Sequence, residues 1–146
     1  MRTHSSILLI EDSPGECELF RLALTQTGLD VALYTEQNTE AAIHFLENRA
    51  HHSPLPSLIL LDLHLTGQNS WDFLKQLRAD ARFSVISVVI FTTSDDQTDL
   101  ATSYASGASG YVVKPGTFAE LVQCTGDICR YWIDRNRVPS MSETKC

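Results

Sequence analysis

Four short runs of Ile, Leu and Val limit the fold of this chain more than any other feature of its sequence. Each run is too short for a buried helix, and the segments between them repeat their apolar residues with helical spacing. Consecutive apolar positions are typical of strands that are buried on both faces of a parallel sheet. The four runs span residues 7–10, 58–61, 85–91 and 111–113.

A fifth run, at 31–34, is weaker and predicts a strand near a sheet edge. Five helical segments alternate with these strands. In the first, Ser13 and Pro14 mark the start and Gly28 the end, which is the expected punctuation of a helix. The second begins after Asn38, and the third begins after Asn69 and Ser70. The fourth ends at Gly107, and the fifth runs from about Thr117 through Trp132 to Asn136. Strict alternation predicts an α/β fold in which helices cover both faces of a doubly wound parallel sheet.

The length of the chain and its charge narrow the class of protein. A chain of 146 residues can form one hydrophobic core without disulfides or a metal. We expect a single domain over residues 1–137 and a flexible C-terminal tail over 138–146. There is no signal-peptide pattern and no run of about 18 apolar residues, so we expect a cytoplasmic protein. The formal net charge of −7 disfavours direct binding to nucleic acid, which depends on clustered Lys and Arg.

The four cysteines do not have the spacing of a metal or redox pair. None lies in a Cys-x-x-Cys arrangement, and Cys124 and Cys129 would point in different directions on a helix. We therefore expect buried or idle thiols in a reducing compartment.

Polar residues follow directly after four of the predicted strands. They are Glu11 and Asp12, then Asp62, Thr92 and Lys114. The carboxyl ends of parallel strands face one crevice, where ligands of such sheets bind. Taken singly, each residue has an ordinary structural explanation as a helix cap, a strand end or a solvated charge. Their coincidence at one edge of the sheet favours a functional site.

Three carboxylates in one crevice repel one another and raise each other's pKa unless a cation lies among them. Mg²⁺ suits this arrangement because it prefers oxygen ligands and commonly combines one or two carboxylates with water and a phosphoryl oxygen. We expect Asp12 and Asp62 to be direct ligands and Glu11 to act through water. The backbone carbonyl of His64 is a candidate third protein oxygen.

The same residues have the chemistry that phosphoryl transfer requires. Asp62 would be the nucleophilic carboxylate. The charge that spreads over three equatorial oxygens would be compensated by the metal, by the ammonium of Lys114, and by the hydroxyl of Thr92 with nearby backbone N–H groups.

Four motifs in order resemble the CheY-like receiver domain of response regulators. They are Ile-Leu-Leu-Ile-Glu-Asp-Ser at 7–13, Leu-Ile-Leu-Leu-Asp-Leu at 58–63, Val-Val-Ile-Phe-Thr-Thr-Ser at 88–94 and Gly-Tyr-Val-Val-Lys-Pro at 110–115. The resemblance implies a flavodoxin-like sheet of five strands in the order 2-1-3-4-5 with five helices. It also implies a phosphorelay in which a histidine kinase transfers a phosphoryl group to the chain.

The resemblance assigns a role to each residue of the site. Asp62 matches the phosphoacceptor, Glu11 and Asp12 the acid pocket, and Lys114 the lysine of the pattern. Thr92 and Tyr111 match the hydroxyl and the aromatic ring of the conformational switch. The Lys114–Pro115 bond is expected to be cis, which costs little before proline.

Two further segments bear on the comparison with this family. The ending Tyr-Trp-Ile-Asp-Arg-Asn-Arg-Val-Pro at 131–139 is similar to regulators paired with bacterial phytochrome kinases. The loop after Asp62 departs from the family pattern, because Thr66 replaces a usual Pro and Asn69-Ser70 a usual Asp-Gly. The stiffness of that loop is therefore open.

Other functions fit the sequence less well. A flavodoxin-like FMN protein needs a hydroxyl- and glycine-rich loop after the first strand, where Glu11 and Asp12 would repel a phosphate. An Asp-nucleophile phosphatase typically has a second Asp at the position of His64. The alternative that stays open is a receiver-shaped interaction module in which phosphorylation is incidental.

The C-terminal helix is longer than such a fold requires. We expect Tyr131, Trp132 and Ile133, together with Tyr104, to form an isologous contact across the two-fold axis of a homodimer. The alternative is that Trp132 folds back on its own domain while Tyr131 is simply exposed.

Overall fold

The computed structural model describes residues 5–52 and 54–139, in which five strands alternate with five α-helices. This confirms the predicted fold class. The strands are β1 Ser6–Ile10, β2 Ala32–Glu36, β3 Leu58–Leu61, β4 Ser87–Thr92 and β5 Gly110–Val113. The helices are α1 Pro14–Thr27, α2 Thr39–His52, α3 Ser70–Ala79, α4 Gln97–Ser106 and α5 Phe118–Cys129. A π-helical segment, Arg130–Arg135, follows α5.

All neighbouring strands are parallel, and their order is β2-β1-β3-β4-β5, as the resemblance implied. The two central pairings place Ile10 beside Leu61 and Leu61 beside Ile90. The carboxyl ends of the strands therefore lie at one edge of the sheet. That edge carries the polar residues singled out in the sequence.

The sheet separates two layers of hydrophobic core. Leu8 and Ile10 of β1 face the layer formed with α2 and α3, while Ile7 and Leu9 face the layer formed with α1 and α5. All four are at most 3% exposed, as expected for a strand with helices on both faces. The helix α4 differs, because its buried residues are Ser103 and Ser106.

The helix starts follow the predicted punctuation, but the last helix ends earlier than expected, because α5 stops at Cys129 and Arg130–Arg135 is π-helical. In α1 the Ser13 hydroxyl accepts a hydrogen bond from the Glu16 amide, and Gly28 adopts the left-handed conformation with φ of 73°. Asn69 caps α3 and Thr117 caps α5 in the same way, by side-chain oxygens that accept from backbone amides. Local residue chemistry therefore sets where these helices begin and end.

The fifth strand corrects one prediction. The run at 111–113 was expected to be buried on both faces, but Val113 is 43% exposed, and Tyr111 and Val112 are only partly buried. Because β5 ends the strand order, it is an edge strand with one side unpaired by the sheet. The run at 85–91 also begins too early, since β4 starts at Ser87.

The segment after α5 packs on its own domain. Ile133 is 4% exposed within the α1 and α5 layer of the core, and Trp132 packs against the same layer. A Cβ atom built on Gly110 would lie 2.7 Å from Cζ2 of Trp132, so the ring covers the start of β5. Tyr131 is 54% exposed. The expectation that Ile133 contacts a second copy is therefore wrong, and Trp132, which is partly buried, packs on its own domain as the alternative proposed.

Three of the four thiols lie in the described residues and are free, as expected from their spacing, while Cys146 lies outside those residues. Cys17 and Cys129 are buried and Cys124 is partly buried, all as free cysteines. Burial raises the pKa of each thiol, and it raises that of Cys129 to about 11. In the described part of the chain no helix has the length and hydropathy to cross a membrane. The tail predicted at 138–146 lies outside the described residues after Pro139.

Arg78 joins three segments at the amino end of the sheet. Its guanidinium donates to the carbonyls of Gly107 at 2.8 Å, Ser84 at 3.0 Å and Ile86 at 2.7 Å, and to the Ser109 hydroxyl at 3.1 Å. Gly107 has φ of 116°, and a Cβ there would lie 2.6 Å from Cγ of Arg78. One side chain thus fixes the end of α3, the start of β4 and the turn after α4.

We predict that Arg78→Ala lowers the free energy of unfolding by about 2–3 kcal/mol, because it leaves several partly buried acceptors without their charged donor. Urea denaturation measures this change. Arg82→Ala is the matched control, since Arg82 is exposed and its ion pairs, with Asp80 and Glu47, lie at the surface. Equal midpoints for the two variants would contradict the role given to Arg78.

Candidate functional site

The polar residues after β1, β3, β4 and β5 are positioned by backbone pairing that continues past the strands. The amide of Asp62 donates to the carbonyl of Ile10 at 3.2 Å, and the amide of Lys114 donates to the carbonyl of Thr92 at 2.7 Å. Each side chain therefore leaves the sheet at the same edge. Of the predicted site residues, Glu11, Asp62 and Lys114 come together there although they are distant in sequence, whereas the Asp12 side chain binds the Thr66 amide.

Lys114 reaches across this edge to the carboxylates. Its Nζ lies 2.8 Å from Oε1 of Glu11, 3.8 Å from Oδ2 of Asp62 and 3.4 Å from Oε1 of Glu16. Glu16 was not predicted as a site residue, because an acidic residue in the first turn of a helix has an ordinary explanation in the helix dipole. The ammonium is thus shared by three carboxylates.

The peptide bond between Lys114 and Pro115 is trans, so the predicted cis bond is wrong. Pairing of the Lys114 amide with Thr92 already directs the lysine along the strand edge. Its side chain then reaches Glu11 without a change of backbone direction.

The charges at this edge shift each other's ionisation. Burial raises the pKa of Glu11, and the hydrogen bond from Lys114 opposes that rise. Burial lowers the pKa of Lys114, but the hydrogen bond to Glu11 and the charge of Asp62 outweigh it, so the net shift is upward. The lysine therefore stays charged at neutral pH.

Asp12 does not follow the expectation that the carboxylates raise each other's pKa. Its Oδ2 accepts a hydrogen bond from the Thr66 amide at 2.8 Å, and this bond lowers the pKa of Asp12. The same bond explains one departure from the family pattern. A proline at position 66 would have no N–H to donate.

The loop after Asp62 is held by side chains at both ends. The Oε1 of Gln68 accepts from the Thr39 amide at 2.7 Å, and the Ser70 hydroxyl donates to the Asp62 carbonyl at 2.5 Å. Together with the bond from Thr66 to Asp12, these contacts fix a loop that lacks the usual proline. Hydrogen bonds therefore hold this loop where the family pattern has a proline.

Asp62 has one oxygen without a partner. The residue is 5% exposed, and its Oδ1 is buried without a hydrogen bond to any described residue. Buried polar atoms are nearly always satisfied, so such an oxygen suits a cation or an incoming electrophile. Thr92, which is fully buried, ends β4, the strand that pairs with β3 before Asp62.

The donor set fits a hard cation bound partly through water. Within residues 5–52 and 54–139, no three His, Cys, Asp or Glu side chains converge as a metal cluster. Mg²⁺ does not need such a cluster, because it keeps several waters and uses one or two carboxylates. The candidate ligands are Asp12, Asp62 and the carbonyl of the exposed His64, with Glu11 acting through water.

Tyr111 holds the loop between β4 and α4. Its hydroxyl donates to the carbonyl of Ser94 at 2.9 Å, and its partly buried ring packs against the core. The Ser94 hydroxyl in turn donates to Oδ2 of Asp99 at 2.7 Å. Since Ser94 follows Thr92 by two residues, the predicted switch pair lies at the two ends of one short segment.

Comparison with known proteins agrees with this geometry. Residues 7–125 match the model of the response regulator receiver domain. The chain is 32% identical over 136 residues to a protein of Methanothrix harundinacea named "Probable methanogenesis regulatory protein FilR2", covering 91% of this chain and 86% of that protein. It is 29% identical to the response regulator Rcp1 of Synechocystis over 136 residues, covering 92% of each.

Two solved structures of similar proteins share the fold over almost the whole chain. The phosphorylated cyanobacterial phytochrome response regulator RcpA superposes with a TM-score of 0.84 at 26% identity, covering 94% of this chain and all of RcpA. The Mn²⁺-bound form of Rcp1 superposes with a TM-score of 0.79 at 29% identity, covering 93% of this chain and 99% of that structure. The match over most of the chain, with the strand order and the acidic edge, makes this protein a member of the response regulator receiver domain family.

Proposed function

We propose that this protein accepts a phosphoryl group from a histidine kinase on Asp62 and signals through the resulting change of conformation. The observation that carries the proposal is the buried Asp62 carboxylate, whose Oδ1 has no partner and whose Oδ2 lies 3.8 Å from Nζ of Lys114. One oxygen is thus free to attack while the other faces a positive charge. No external substrate is turned over, so the protein acts as a phosphoacceptor and not as an enzyme.

The transfer forms one bond and breaks another. An oxygen of Asp62 attacks phosphorus in line, the P–N bond to the kinase histidine breaks, and its electron pair returns to the imidazole. Lys114 lies close enough to neutralise one phosphoryl oxygen, and the Thr92 hydroxyl is the candidate donor to another. Glu11 holds the lysine in place through its hydrogen bond of 2.8 Å.

A divalent cation, which we propose to be Mg²⁺, would neutralise the remaining charge when bound. Asp12 and Asp62 would be its carboxylate ligands, with the His64 carbonyl as a further oxygen and Glu11 acting through water. The Mn²⁺-bound form of the related Rcp1 supports a divalent ion in this family. In this chain it is supported by the excess of buried carboxylates, because Glu11 and Asp62 face the single ammonium of Lys114.

The relatives also suggest the partner. RcpA is a cyanobacterial phytochrome response regulator, and it covers nearly the whole of this chain. We extend the proposal to a phytochrome-type histidine kinase as the phosphodonor, acting in the cytoplasm. A net charge of −7 makes nucleic acid an unsuitable direct partner.

We predict that Asp62→Asn abolishes phosphorylation by acetyl phosphate, because the amide lacks the nucleophilic oxygen. Intact mass spectrometry measures the gain of one phosphoryl group, and EDTA is expected to prevent that gain in the wild type. Asp72→Asn, which changes an exposed carboxylate on α3, is the control. Labelling of the Asp62→Asn variant, or wild-type labelling unchanged by EDTA, would show that the nucleophile or the metal has been misassigned.

We predict that the Thr92→Ala variant accepts the phosphoryl group but that its Tyr111 ring does not move. Alanine has no hydroxyl that could move toward the phosphoryl group and vacate space for the ring. Fluorotyrosine NMR measures the environment of the Tyr111 ring, with Tyr111→Phe used to assign its signal. The signal should shift on phosphorylation in wild type and in the control Thr93→Ala, whose side chain is exposed. An equal shift in Thr92→Ala would contradict this switch. Partner binding of equal affinity with and without a phosphoryl group on Asp62 would instead favour the alternative of a receiver-shaped interaction module.

We predict a homodimer whose contact includes the aromatic rings left exposed by the fold. Tyr104 and Tyr131 are 50% and 54% exposed, and such rings are frequent anchors of isologous interfaces. Sedimentation velocity across a concentration series should detect the dimer. The double variant Tyr104→Ser, Tyr131→Ser should be a folded monomer. The control Leu22→Ser, which changes a residue of α1 that is 47% exposed, should still form the dimer. A wild type that stays monomeric in both phosphorylation states would exclude the contact.

A further inference from the structure

The helix α4 is anchored by hydrogen bonds more than by apolar packing. Its two buried side chains are Ser103 and Ser106, and the large side chain of Tyr104 points into solvent. A helix that buries so little apolar surface belongs to the least stable part of a domain. Individual polar contacts therefore decide where this helix lies.

The middle of α4 is held by a tryptophan of α3. The indole Nε1 of Trp71 donates to the Ser103 hydroxyl at 3.0 Å. Ser103 is fully buried, so its hydroxyl has no access to water as a replacement partner. Loss of this bond would leave α4 without its central tie to α3.

The residue before Trp71 contacts the phosphoacceptor itself. The Ser70 hydroxyl donates to the backbone carbonyl of Asp62 at 2.5 Å, and Ser70 is 3% exposed. Two successive residues in the first turn of α3 thus bind Asp62 on one side and α4 on the other. This connection does not pass through Thr92 or Tyr111.

The two ends of α4 are held unequally. At the carboxyl end Arg78 donates to the Gly107 carbonyl at 2.8 Å and also to the carbonyls of Ser84 and Ile86. At the amino end the Tyr111 hydroxyl donates to the Ser94 carbonyl, and the other side-chain bonds there, from Ser94 to Asp99 and from the Thr98 amide to Asp96, stay within the loop and the first turn of α4. Movement of α4 about its Arg78 end would therefore act first on the amino end and on the bond to Trp71.

We propose that Trp71 is a positioning residue for phosphorylation: its bond to Ser103 stabilises one arrangement of α4, whereas phosphorylation of Asp62, whose carbonyl Ser70 binds, favours another. The inference rests on the proposed function of Asp62. In this two-state equilibrium, breaking the bond enlarges the fraction of molecules in the arrangement that reacts, and the rate of phosphorylation rises with that fraction. Removing the bond therefore makes Asp62 easier to phosphorylate.

The first test is the initial rate of phosphorylation by acetyl phosphate with Mg²⁺, followed by intact mass. Ser103→Ala removes the acceptor, and Trp71→Phe removes the donor while keeping an aromatic ring. Each should raise the rate about 2- to 12-fold, the factor that one net hydrogen bond supplies. The double variant should be no faster than the faster single variant, because both changes remove the same bond. Ser106→Ala, which removes a hydroxyl one turn along α4, should keep the wild-type rate.

The second test is the indole N–H signal in ¹⁵N NMR of the full chain. The two tryptophans give two signals, and Trp71→Phe identifies that of Trp71. On phosphorylation of wild type the Trp71 signal should move toward its position in unphosphorylated Ser103→Ala, while the Trp132 signal stays and reports that the fold is intact. In Ser70→Ala the mass gain should persist with a smaller movement of the Trp71 signal.

The outcomes separate the two proposals. A mass gain without movement of the Trp71 signal, or wild-type rates in both Ser103→Ala and Trp71→Phe, overturns the role of Trp71 and leaves the function of Asp62 standing. If Ser103→Ala fails to fold, the rate of Trp71→Phe decides. No mass gain in wild type overturns the proposed function, and the role of Trp71 falls with it.

Discussion

The parallel direction of all five strands is the constraint on which the rest of the molecule depends. Because every strand ends at the same edge, residues separated by half the chain or more meet there, and Glu11 and Lys114 lie 2.8 Å apart. The edge of a parallel sheet has backbone polar groups that need partners, and polar side chains tolerate this position better than the core does. The layers of Ile, Leu and Val on both faces then fix the strands that carry those side chains.

The buried carboxylates at this edge share one cationic side chain, that of Lys114. Glu11 and Asp62 are at most 5% exposed, and Lys114 lies within 3.8 Å of both. Two carboxylates against one ammonium leave an excess of negative charge, which a divalent ion or the electrophilic phosphorus would meet. At the opposite end of the sheet Arg78 binds neutral carbonyls instead of carboxylates. The carboxyl end of the sheet thus has excess negative charge that can bind a cation or react, while the amino end is held by hydrogen bonds.

The sequence was sufficient to predict the strand order, through its resemblance to the receiver family, and the helix starts, because caps such as Ser13 and Asn69 act locally. The end of α5 at Cys129 was missed, since the apolar spacing continues into the π-helical segment. The contact between Lys114 and Glu16 was missed, since an acidic first turn already has a local explanation. The exposure of Val113 was missed because a short apolar run does not reveal which strand lies at the edge. The bond between Trp71 and Ser103 joins residues 32 positions apart and has no local pattern at all.

The π-helical segment explains why part of the expected aromatic contact surface is absent. The amide of Asn136 donates to the carbonyl of Tyr131 at 2.7 Å, a bond that spans five residues instead of the four of an α-helix. Each residue then advances by a smaller angle, so that Trp132 and Ile133 both face the core and Tyr131 faces solvent. The side chain of Asn136 donates to the hydroxyl of Ser87 at 3.2 Å and ties the segment to the start of β4. Any second copy of the chain that used this segment would therefore meet mainly the ring of Tyr131, and it would need other exposed residues to complete an interface.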